Sequence, residues 1–109
     1  MKVDRKDRAR IDLSVAGDNT VIAAPGDGRH IAIDHLNFLC SGAANTIQLK
    51  EGADTVITEY AFDDNQAFAF DNANPDLNTL EVRTNLAFVM NLSASAAVTG
   101  FVLYRVVGE

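Results

Sequence analysis

Residues 29–40 read Arg29-His30-Ile31-Ala32-Ile33-Asp34-His35-Leu36-Asn37-Phe38-Leu39-Cys40. The alternating apolar side chains are Ile31 and Ile33, then Leu36, Phe38 and Cys40. Period-two alternation marks a strand with one buried face, because successive side chains leave a β-backbone on opposite sides. Here the inward parity is odd before Asp34-His35 and even after it. A bulge, or a bend that carries the strand from one sheet to another, produces such a phase change. Both devices belong to proteins built from packed antiparallel sheets.

Outward from this stretch, turn signals recur at Gly17-Asp18-Asn19, Pro25 to Gly28, Ser41-Gly42, Glu51 to Asp54, Asp63 to Asn65, Asp71 to Asp76 and Thr84-Asn85. Runs rich in Val, Ile, Leu, Phe and Thr lie between them, which is the spacing of a sandwich or barrel. Ile11, Leu13 and Val15 alternate, as do Ile47 and Leu49, Val56, Tyr60 and Phe62, and Leu86, Phe88, Met90 and Leu92. No long window carries helical spacing without a Gly, Asn or Asp cluster breaking it. The expected strands are 11–16, 19–24, 29–40, 45–50, 55–61, 66–70, 79–83, 85–92 and 97–107. The fold class is therefore all-β, an antiparallel β-sandwich of eight to nine short strands, jelly-roll-like by strand count.

With 109 residues, 48% of them hydrophobic and 22% charged, the chain has room for one domain and its core, and disordered or collagen-like classes are excluded. Residues 1–10 hold Lys2, Arg5, Lys6, Arg8 and Arg10 against Asp4 and Asp7, a net +3 that leaves −9 on the rest of a chain of formal charge −6. They read as a flexible basic arm, and residues 11–109 as the single β-sandwich domain. An acidic body is a poor partner for nucleic acid. No stretch reads as a signal peptide or membrane span, so the expectation is synthesis in the cytoplasm and no membrane partner. Cys40, the single cysteine, reads as a small buried hydrophobe.

The final strand is apolar on both faces, with Val98, Val102, Tyr104 and Val106 on one and Phe101, Leu103 and Val107 on the other. Such a strand is covered by a partner subunit or lies centrally under a long loop. Phe101, Leu103, Tyr104 and Val106 are the candidate oligomer interface. No constellation for catalysis stands out. His30 and His35 are five apart, which on one regular strand puts their rings on opposite faces. Asn72, Asn74 and Asp76 begin like a calcium loop, but Leu77 and Arg83 stand where Gly and Glu are needed. With Asp63, Asp64 and Asp71 they read as an Asx-rich turn or a weak calcium site. No serine sits in a nucleophile elbow, and Gly26 and Gly28 precede a strand, so they cradle no phosphate. Neither a metal nor any other cofactor is expected. Tyr60, Phe62, Phe68 and Phe70 form the one aromatic cluster, packed inward or presented to a sugar.

Two segments carry a resemblance. The run VIAAPGDGRHI at 21–31, followed by FLCSGAANTI at 38–47, and the ending MNLSASAAVTGFVLY at 90–104 resemble patterns of small tailed-bacteriophage virion proteins, in the company of head decoration, or cement, proteins. The resemblance implies a compact β-sandwich that binds the major capsid protein on the outer shell as a homotrimer, with no enzymatic activity, located on the capsid exterior. The basic arm is not part of the pattern, and its Lys2, Arg5, Lys6, Arg8 and Arg10 are the candidate capsid contacts. A tail or fibre-associated adhesion module binding host-surface carbohydrate is the alternative.

Overall fold

The structure, a computed structural model, describes residues 7–71 and 80–108. Nine strands run in chain order: β1 (Asp7–Leu13), β2 (Gly17–Ile22), β3 (Arg29–Ser41), β4 (Asn45–Glu51), β5 (Thr55–Phe62), β6 (Gln66–Asp71), β7 (Glu81–Val82), β8 (Phe88–Leu92) and β9 (Ala97–Gly108). Each expected strand has a counterpart, and no helix occurs among the described residues. The expected strand 85–92 begins late. Asn85 adopts φ 55°, its N–H donates to the Arg29 carbonyl at 2.8 Å, and Leu86 N–H closes a turn on the Arg83 carbonyl, so the chain reverses before it extends.

The strands form two antiparallel sheets. One has the order β1-β9-β3-β6, with β7 pairing the start of β3, and the other has the order β2-β8-β4-β5. Between them lie Ile11, Ile31, Leu36, Phe38, Val98 and Val102 from the first sheet and Ile47, Leu49, Phe88, Met90 and Leu92 from the second. Each such side chain contributes about 1.5–3 kcal/mol on leaving water. The phase change in 29–40 is a bulge, not a change of sheet. β3 stays beside β9 throughout, and their register shifts between Ile33, opposite Tyr104, and His35, opposite Leu103. The extra residue, Asp34, is 2% exposed and accepts two hydrogen bonds from the Arg105 guanidinium at 2.8 and 3.1 Å. A carboxylate removed from water needs such a bidentate cation.

The arm expected over residues 1–10 requires a correction. Asp7 to Arg10 belong to β1, paired residue by residue from Asp7 opposite Tyr104 to Arg10 opposite Phe101. Ala9 continues the inward parity of Ile11 and Leu13, and β9 extends far enough to pair with all seven β1 residues, alternate ones exchanging backbone hydrogen bonds with it. The domain therefore starts by Asp7. Lys2, Arg5 and Lys6 lie outside the described residues, as do Asn72, Asn74 and Asp76.

Two sequence segments interlock at the β3–β4 corner. Asn45, buried, accepts at Oδ1 from the backbone N–H of Ser93 (2.9 Å) and Ala94 (3.1 Å) and donates from Nδ2 to the Ala94 carbonyl (2.9 Å). Ser93 Oγ accepts from Thr46 N–H at 2.8 Å. The SGAANT and NLSA runs are thus halves of one joint.

Gly100 lies on the inward face opposite Ile11 and Phe38. A Cβ there would overlap the Asn37 carbonyl oxygen and sit 2.6 Å from Phe38 Cα, both of them backbone atoms that cannot rotate away. Gly100→Ala is expected to lower unfolding stability by at least about 2 kcal/mol in a urea titration. Gly108→Ala, with nothing within 4 Å of its Cβ, is expected to leave the midpoint unchanged.

Candidate functional site

The ladder registers place three rows of side chains across the outer face of the five-stranded sheet. They are Asp12, Thr99, Leu39, Ala67; then Arg10, Phe101, Asn37, Ala69; then Arg8, Leu103, His35, Asp71. Residues directly opposite on neighbouring strands share a face, so these twelve form one surface. Its middle is apolar. Leu39 is 41% exposed, Phe101 and Leu103 are half-buried, and the short Ala67 and Ala69 leave a shallow groove of about 370 Å³ beside Leu39 and Thr99. Arg8, Arg10 and Asp12 form one margin, with Arg10 Nη2 3.7 Å from Asp12 Oδ2, and Asp71 stands on the other.

His35 is the fixed point of this surface. Its ring stacks on Phe101 with centroids 5.3 Å apart and planes 27° apart. Asn37 Nδ2 lies 2.9 Å from His35 Nε2, and His35 Nδ1 lies 3.6 Å from Asp71 Oδ1. Three neighbours therefore hold the imidazole flat against the sheet.

The sequence-predicted interface divides. Phe101 and Leu103 join this face beside Arg10 and Arg8, whereas Tyr104 and Val106 stand opposite Ile33 and Ile31 on the other side of β9, Tyr104 against the core and Val106 41% exposed towards the strand end. Tyr104 packs against the core, where burial first and the Asp7 charge second raise its phenol pKa above the ordinary value. Its strand is central in the sheet, between β1 and β3.

The expectation of opposed histidines is also corrected. The bulge at Asp34 shifts the parity, so His30, opposite Val107, and His35, opposite Leu103, both face outward. They still do not converge, because the Asp34–Arg105 pair lies between them and each has its own carboxylate. His30 Nε2 is 3.4 Å from Glu81 Oε1. His35, Asn37, Leu39 and Asp71 were missed as surface partners of Phe101. The phase change in 29–40, carried through to the odd positions after it, is the signal that would have found the first three.

Other clusters are committed internally. An open cleft of about 740 Å³ is lined by His30, Glu51, Glu81 and Arg83 among others. There Arg83 Nε donates to Glu51 Oε2 at 3.1 Å and Arg83 Nη2 to Thr55 Oγ1 at 3.1 Å. On the other sheet Lys50 Nζ, 8% exposed as a residue, donates to both Asp18 oxygens (3.0 and 3.1 Å) and to the Ala53 carbonyl (2.7 Å). Asn91 Nδ2 donates to Asp18 Oδ1 at 2.8 Å. Phe68 packs inside the sandwich edge, stacked on Phe38 at 5.2 Å and close to Tyr60 at 4.9 Å, and of the four aromatic side chains Tyr60 is the exposed one. Among the described residues no three His, Cys, Asp or Glu side chains are placed to hold a metal ion, and no helix is long and apolar enough to cross a membrane.

Comparison with known proteins finds no matching family model, no matching curated protein and no matching solved structure. The functional reading therefore rests on the surface itself and on the sequence resemblance.

Two outcomes follow from these environments. Hydrogen bonds from Asn91 and then Lys50 hold the Asp18 carboxyl below its ordinary range. Its stabilisation is present above the unfolded-state pKa and is lost as pH falls through the folded one. Asn91→Ala is expected to raise the Asp18 pKa in a carboxyl NMR titration and to move acid-side destabilisation to higher pH. Cys40 is fully buried, and burial, followed by the Asp64 charge, pushes its thiol up. A thiol reagent at neutral pH is expected to label it only as fast as the protein unfolds, and rapid labelling of the native protein would contradict that environment.

Proposed function

We propose that this chain is a bacteriophage capsid decoration, or cement, protein that binds the outer surface of the head as a homotrimer and stabilises the shell without catalysis. The observation that carries the reading is the open sheet face on which Phe101, Leu103 and Leu39 lie between an arginine margin and an acidic one. A rigid sheet with an apolar middle and charged rim is suited to protein contact. Among the described residues the Arg83 and Lys50 clusters are paired internally, which supports a role in binding.

Two further observations support it. The two packed antiparallel sheets, with strand orders β1-β9-β3-β6 and β2-β8-β4-β5, support a jelly-roll reading of the sandwich, an architecture used by viral capsid domains. The runs 38–47 and 90–104 that resemble virion proteins meet at the Asn45 joint, so this part of the likeness is one of architecture and supports the role through it. The mechanism is multivalent clamping, in which several weak attachments hold together when their geometry lets them engage at once. Lys2, Arg5 and Lys6, which precede β1 in the chain, supply positive charge for the shell, while Arg8 and Arg10 border the sheet face itself.

Purified heads of the phage that carries the protein provide the test. The full chain is expected to co-sediment with heads, and binding is expected to fall as salt rises from about 0.05 to about 0.5 M, because exposed charge pairs are screened within about 10 Å at 0.1 M. A chain lacking residues 1–6 keeps β1 whole and is expected to stay folded while binding more weakly. Truncation through residue 10 would instead cut four paired residues from β1. Co-sedimentation with isolated tails, and none with heads, would overturn the reading.

A further inference from the structure

The outer face of the five-stranded sheet changes sign of charge across its width. In the row Arg8, Leu103, His35, Asp71, a cation and a carboxylate occupy opposite margins. Arg8 has no ion-pair partner among the described residues, and the Asp71 side chain is 73% exposed. Phe101, Leu103 and Leu39 lie between the margins, only partly withdrawn from water.

The geometry points to this face as the contact between copies of this chain, arranged about a rotation axis parallel to the strands, with Arg8 of one copy against Asp71 of the next. Such a rotation preserves height along the strands, so each row meets the same row of its neighbour with its margins exchanged. Arg8 then meets Asp71, while Arg10 and Asp12 meet Ala69 and Ala67, and no like charges are opposed. A twofold axis running across the strands would reverse the rows, setting Arg8 against Asp12 but also Arg10 against Arg10, which repel, and leaving Asp71 opposite Ala67 without a cation. The parallel axis also withdraws Phe101, Leu103 and Leu39 from water together.

The face is small. Four strands about 4.8 Å apart and three rows about 6.7 Å apart span roughly 400 Å² per copy, about half of the ~800 Å² that each partner gives to a standard interface. Assembly through it is accordingly concentration-dependent. This contact deepens the decoration proposal by naming what joins its copies, yet it belongs to the free protein and is testable without heads.

Analytical ultracentrifugation of the full chain, from about 10 to about 500 µM, follows four forms: wild type, Arg8→Glu, Asp71→Arg and the double reversal. Wild type is expected to associate. Each single reversal is expected to raise the dissociation constant at least about tenfold, and the double reversal to return it to within about threefold of wild type. Circular dichroism checks that all four are folded, as expected for exposed positions. A wild type that stays monomeric, single reversals without effect, or a double reversal no better than the singles would overturn the contact. If the charge exchange behaves as expected but heads are not bound, the decoration reading falls and the contact stands. A limiting mass of two chains likewise keeps the contact and removes the trimer from that reading.

Discussion

The ladder between β3 and β9 is the longest in the molecule, and the one extra residue within it, Asp34, governs which side chains reach the core. Ile31 and Ile33 approach from odd positions and Leu36, Phe38 and Cys40 from even ones, while β9 keeps a single phase through Val98, Val102 and Tyr104. Without the bulge, one half of β3 would turn its apolar side chains to solvent. The bulge itself buries a carboxylate, and that burial holds because Arg105, 71 residues later, reaches back to it with two hydrogen bonds. A buried ion pair adds little net stability over an apolar pair, but losing one partner would leave an uncompensated charge. The pair thus fixes the register on which both faces of the sheet depend.

The two outer faces of the sandwich differ in kind. On the four-stranded sheet one row reads Asp18, Asn91, Gln48, Glu59, polar from edge to edge, and the next reads Thr20, Val89, Lys50, Val56, with Val89 buried and Val56 exposed at the edge. Lys50 lies close along that sheet, with its ammonium held by Asp18 and Ala53. On the five-stranded sheet the corresponding rows are centred on Phe101, Leu103 and Leu39. Alternation normally sets polar side chains outward in a sandwich, so apolar residues concentrated on one outer face need an explanation that folding of the single chain does not supply. Contact with another protein surface supplies one.

Several residue patterns that look informative are spent on architecture. Asn45 and Ser93 close the joint between the β3–β4 corner and the β8–β9 connection, and Asn85 ties the turn before β3 through hydrogen bonds to Gly26 N–H and Asp27. A likeness confined to such positions speaks to shape first, because these side chains satisfy backbone groups that any chain with this topology must satisfy. The residues proposed for protein contact are instead the outward ones on β1, β3, β6 and β9, scattered through the sequence and joined only by pairing.

What the sequence by itself determined is local: strand positions, the phase change at Asp34-His35, the two apolar faces of the last strand and the burial of Cys40. Each follows from period-two alternation and turn chemistry, which act over a few residues. Pairing decided the rest. Asp7 to Arg10 carry no strand signal beyond Ala9, and they extend because β9 offers an edge with hydrogen bonds to be made. His30 and His35 share a face because an unpaired residue shifts the count between them, which a regular strand does not do. Asp34 finds Arg105, and Phe101 finds His35, across separations that no local pattern spans, because which strands lie side by side is settled by how two sheets close over one apolar core.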